Sequence, residues 1–96
     1  MDRGSLSRAF GYELEVRRKA AGLTAQQMWE RLDWSKNTFR RTESGERSAT
    51  LDDVVEIARV LDVSPTTLFM AAKKRWETGD YPTRTPNGEW RDILGL

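Results

Sequence analysis

Apolar positions recur at helical spacing through the first three quarters of the chain, and helix-stopping residues interrupt them. Phe10 and Leu14 stand four apart, as do Met28 and Leu32, while Leu51, Val54, Ile57, Ala58 and Leu61 make a longer stripe. Side chains three and four apart share a helix face, so the pattern predicts amphipathic helices with Phe10, Leu14, Met28, Leu32 and the long stripe turned inward. The ends are marked as well. Ser7 is placed to cap a first helix running to about Ala21, closed by Gly22. Thr24 with Gln27 forms a capping box for a second helix over 24–32. Asp33 tolerates the left-handed backbone that a sharp turn needs. Ser35 then caps a third helix over 35–44, Trp34 is placed to staple onto Phe39, and Gly45 ends the helix. Thr50 with Asp53 opens a fourth helix, and Ser64-Pro65 opens a fifth, whose inner face would carry Leu68, Phe69, Ala72 and Trp76. The chain thus reads as all-α, with five helices, no strand before residue 80 and no internal repeat.

Length and composition narrow the classes. The 96 residues suit one domain with one modest core. There is no cysteine and no histidine. That removes disulfides and thiolate chemistry, along with the commonest general base and metal ligand. The chain is therefore expected not to be an enzyme and to use no cofactor or metal. Asp52-Asp53, the one adjacent carboxylate pair, is better explained by helix capping, because neighbours on a helix diverge by about 100°. No run approaches the length of a membrane span, and MDRGSLSRAF lacks the apolar stretch of a signal peptide. A cytoplasmic, bacterial or phage-encoded protein with no membrane partner and no small-molecule site is expected.

Net charge is only +1, but it is unevenly spread. Residues 1–48 hold 10 basic and 7 acidic side chains, whereas residues 49–63 hold Asp52, Asp53, Glu56 and Asp62 against Arg59 alone. A chain polarised this way presents one basic side to a polyanion. On the third helix, Lys36, Asn37, Arg40, Arg41 and Ser44 fall within an arc of roughly 140°, with Thr38, Phe39 and Thr42 opposite. Lys and Arg recognise guanine edges or phosphates, and Asn pairs with adenine. The plain alternative is a solvated helix face.

The flanking pattern bears on that choice. F-G-x-x-L-x-x-x-R-x-x-x-G-L-T from Phe10 to Thr24, the turn before Ser35, R-T-E-S-G from Arg41 to Gly45, and L-D-D-V-V-E-I-A-R-V-L-D-V-S from Leu51 to Ser64 follow in order. Together they resemble the lambda-repressor-like helix-turn-helix family, of the Cro/CI or XRE type. The resemblance covers about residues 10–72 and implies a five-helix DNA-binding domain; the residue pattern extends that domain over 7–77, with a flexible arm (1–6) before it and a short irregular tail (78–96) after it. It implies a sequence-specific transcriptional regulator, a repressor, with the third helix in the major groove of double-stranded DNA. By position, Lys36, Asn37, Arg40 and Arg41 would read bases, the four that the helix wheel also selects. Gln26, Ser35, Thr38 and Arg47 would meet phosphates. Arg18 and Glu43 would form an ion pair between the first and third helices.

Several positions depart from the family pattern. Ala25 stands where a phosphate-binding Gln is usual, with Gln26 one place later. Trp29 replaces a small residue, Thr42 an apolar one, and Asp33 a Gly. A large Trp29 meeting a small Thr42 would compensate in volume. Lys73, Lys74 and Arg75 would either touch phosphate or sit at a helix end. In the tail, Asn87-Gly88 signals a hairpin turn that Pro86 opposes. Trp76, Trp90, Ile93 and Leu94 form surplus apolar surface, either packed on the domain or pairing two copies in a weak homodimer. A protein-interaction module on the same scaffold is the rival reading, but such a surface would carry aromatic anchors where this one has none.

Overall fold

The computed structural model describes residues 3–82, and over them the chain forms five α-helices and no strand. They are α1 (Arg3–Ala20), α2 (Ala25–Leu32), α3 (Lys36–Ser44), α4 (Leu51–Leu61) and α5 (Pro65–Thr78). The expected turn at Asn87-Gly88 and the apolar positions Trp90, Ile93 and Leu94 lie outside the described residues.

Caps account for most of the boundaries. Thr24, Ser35, Thr50 and Ser64 each accept the backbone N–H three residues on, and Thr24 and Thr50 complete capping boxes with Gln27 and Asp53. The start of α1 differs from expectation. It begins at Arg3, so positions 3–6 of the expected arm are helical and Ser7 lies inside the helix. Ser7 Oγ lies 2.8 Å from Ser48 Oγ, so a tertiary contact takes the hydroxyl that was expected to cap.

Three of the four connections are one turn repeated. In each a left-handed residue is followed by an apolar one and then by the next N-cap: Gly22-Leu23-Thr24, Asp33-Trp34-Ser35, Asp62-Val63-Ser64. The apolar residue's N–H reaches back to the helix it leaves, from Leu23 to Arg18 O at 3.1 Å, Trp34 to Trp29 O at 2.9 Å and Val63 to Ala58 O at 3.0 Å. This closes the orphan carbonyls of each helix end and plugs the apolar side chain against the core. Asp33 and Asp62 hold φ of 59° and 56°, the left-handed role expected of Asp33.

The core gathers Phe10, Leu14, Met28, Leu32, Phe39, Ile57, Ala58, Leu68 and Ala72 from all five helices. Two expected core positions are exposed instead, Leu51 at 85% and Phe69 at 42%. Helical side chains lean toward the N-terminus, so Leu51, first in α4, overhangs the end of its helix. Leu68 and Ala72 set the inner stripe of α5, and Phe69 stands about 100° away from Leu68. Trp76, Val54 and Leu61 are half-buried.

The seam between α1 and α3 is backbone against backbone. A Cβ on Gly11 would lie 2.2 Å from Glu43 O, and one on Gly45 would lie 2.6 Å from Arg8 Cα. Gly45 also needs a left-handed φ of 85° to end α3. The two glycines let the end of α3 seat directly on α1.

Candidate nucleic-acid interface

One side of α3 is anchored and the other is open. Phe39 is wholly buried and Thr42 nearly so. Phe39 packs between two indoles, with ring centroids 6.3 Å from Trp29 and 6.5 Å from Trp34. The second contact is the staple expected across the Ser35 cap. Trp29 therefore spends its bulk on Phe39. Thr42 is satisfied through polarity, its hydroxyl donating to Thr38 O at 2.8 Å and accepting from Arg47 at 2.9 Å. On the open side Lys36, Asn37, Arg40, Arg41 and Ser44 are all exposed. The structure brings the four expected base-reading residues onto one solvent face, with an Arg41–Glu46 approach of 3.9 Å beside them.

The expected phosphate residues divide. Gln26 is exposed in the first turn of α2, its amide donating to Glu30 at 3.2 Å. Ser35 accepts the Thr38 N–H at 3.1 Å and donates to Thr38 Oγ1 at 2.9 Å, so both hydroxyls sit at the N-terminus of α3, where the dipole favours an anion. Arg47 is folded back toward the protein. Its guanidinium donates to Thr42 Oγ1 at 2.9 Å, pairs with Asp53 at 3.0 Å and lies over the Trp34 ring at 5.4 Å. Those donors face the protein, because the loop after α3 folds the side chain back over the helix it leaves.

Arg18 and Glu43 tie α1 to α3 in a two-pronged pair, Nε to Oε2 at 2.9 Å and Nη2 to Oε1 at 3.1 Å. A third donor of Arg18 caps Leu23 O at 2.9 Å. The hydrogen bond to Glu43 holds this guanidinium above its ordinary value, against the desolvation that would lower it. A raised folded value means the contribution to stability is complete below the ordinary guanidinium range and is lost only as pH climbs through the raised one.

A second ionic knot had no counterpart in the sequence reading. Glu13 is buried and takes Arg17 on one carboxylate oxygen and Arg75 on the other, joining α1 to α5. Arg75 also pairs with Asp80 at 3.0 Å and stacks over Tyr12 at 4.9 Å. Of the basic run 73–75, Arg75 is thus a core brace, and Lys73 approaches Glu77 at 3.7 Å. The Glu13–Arg17 spacing of four was legible in the sequence, but nothing local points to Arg75.

Two short helices joined by a tight left-handed turn, the second buried by one face and offering a cationic, amide-bearing face to solvent, define a DNA-binding helix-turn-helix domain. The chain belongs to the family described as the helix-turn-helix domain, whose model matches residues 9–68, in keeping with the lambda-repressor-like resemblance. No curated protein matches it.

Proposed function

We propose that this chain is a sequence-specific double-stranded DNA-binding transcriptional regulator, a repressor of bacterial or phage origin working in the cytoplasm, that reads the major groove with α3. The observation that carries this reading is the outward face of α3. Lys36, Asn37, Arg40 and Arg41 are exposed together on a helix whose inner face is locked by Phe39 and Thr42. Gln26, Ser35 and Thr38 would meet the phosphates that flank the groove. Apolar exposure, which a protein partner would favour, lies instead on α4 and α5, at Leu51, Val55, Phe69 and Met70. That surface and the half-buried Trp76 support a weak homodimer centred on α5. Among the described residues no helix is long and apolar enough to cross a membrane.

The test starts from a pool of randomised duplexes. The protein should enrich one short site, and Arg41→Ala and Asn37→Ala should each change preference at single base positions, at a cost of about 1–3 kcal/mol. Selection that yields no consensus, or an Arg41→Ala protein with unaltered preference, would sink the reading.

A further inference from the structure

The connection that leaves α3 is built unlike the other three. Where those have Leu23, Trp34 or Val63 after the left-handed residue, this one has Glu46, charged and exposed. The helix end closes late, with the Gly45 N–H on Thr42 O at 3.2 Å and the Arg47 N–H on Arg41 O at 3.0 Å. With no apolar plug at Glu46, the side chain of Arg47 folds back over the helix end. Its guanidinium spans Thr42 in the last turn of α3, Trp34 just before the first turn and Asp53 in the first turn of α4. Asp53 is held in turn, because the same Oδ2 accepts the Thr50 N–H at 2.9 Å. One planar group thus reaches both ends of α3 and the start of α4. A guanidinium offers a stacking face and several donors in fixed directions, which an ammonium lacks.

We propose that Arg47 is a positioning residue. Its guanidinium sets the tilt of α3 against α4, and so the direction in which Lys36, Asn37, Arg40 and Arg41 meet the groove, without itself touching DNA. The DNA part of this rests on the reading of α3 above; the tilt does not.

The full chain carrying Arg47→Met, which keeps the stem and removes the guanidinium, and a second chain carrying Arg47→Lys separate the cases. Residual dipolar couplings of the backbone amides give the angle between α3 and α4 without DNA. In Arg47→Met that angle should change while the angle between α1 and α5 stays. Binding is then measured across salt, on the duplex the wild type selects and on a scrambled duplex of equal length. Preference for the selected duplex should fall by roughly tenfold or more, with the salt slope on the scrambled duplex unchanged. Arg47→Lys should recover only part of the angle and part of the preference, and it stands alone if Arg47→Met does not fold. An unchanged α3–α4 angle in a folded variant overturns the proposal, as does Arg47→Lys matching the wild type. A phosphate contact would weaken both duplexes alike and lower the salt slope by about one, which also overturns it. A wild type that binds neither duplex defeats the DNA reading, and the couplings still decide the tilt.

Discussion

Glu43 illustrates how one side chain near the recognition surface is held inward while its neighbours stay free. Both prongs of its carboxylate are taken by Arg18, and the two side chains retain only 15% and 10% exposure. Removing one partner leaves the other charge buried and unpaired, which costs more than the pair is worth as a whole. Glu43→Ala should therefore destabilise the fold by about 3 kcal/mol. For a domain of this size that lowers the melting temperature by roughly 12–24 °C, and calorimetry would show it. An unchanged melting temperature would mean that the pair contributes nothing. Sequence reasoning could place Glu43 at the margin between the buried and open faces of α3, and the family resemblance supplied its partner. It could not place Arg47, because an arginine in a polar loop has the same local surroundings whether it serves a phosphate or folds back onto Thr42, Trp34 and Asp53.

Between elements, the contact that seats α3 on α1 is a place with no side chain. Gly11 follows the buried Phe10 in α1, and the carbonyls of Thr42 and Glu43 lie where its Cβ would be. A backbone carbonyl at a helix end has little room to retreat, so Gly11→Ala should force α1 and α3 apart. Overpacking of this kind costs about 1–3 kcal/mol, and the upper end is expected here because the obstacle is main chain. Denaturant unfolding should show that loss, and selection between duplexes should weaken together with it. A Gly11→Ala protein of wild-type stability would show that the seam is loose. The repeated turn invites the opposite change. Asp33→Gly removes the left-handed penalty at φ 59° and should be neutral or stabilising by up to about 0.5 kcal/mol, since the gain is offset by the entropy of glycine. A clear loss of stability in Asp33→Gly would show that the aspartate side chain itself is needed.

At the scale of the whole molecule, the basic surplus of residues 1–48 includes the exposed Lys36, Arg40 and Arg41 of α3, and the carboxylates of α4 follow it in the chain. One of these, Asp53, is turned inward onto Arg47, so the polarity is partly consumed in holding α3 and α4 together. A single unit of this size spans few base pairs, and dimers of such folds bind half-sites about 34 Å apart. Sedimentation of the full chain should show a monomer at low concentration, and two copies on the selected duplex if that site is a palindrome. One copy on an asymmetric site would assign the apolar surface of α5 to some other use.

What could be read from the sequence is what depends on near neighbours. A cap and its N–H are three residues apart, a helical face repeats every three or four, and a left-handed Asp needs only its own backbone; hence five helices, the N-caps of α2 to α5 and the composition of the α3 face were legible, while the start of α1 was not. What the tertiary structure alone decided is which helices approach and how closely. Leu51 is apolar and on the right stripe, yet it overhangs its helix end and faces solvent. Glu13 meets Arg75 across 62 positions because α1 lies along α5, and no periodicity encodes that pairing. Arg47 turned inward because the loop after α3 lacks an apolar plug and a buried Thr42 hydroxyl needed a donor. Long-range ionic and polar partners are chosen by packing geometry, and that geometry is a property of all five helices together.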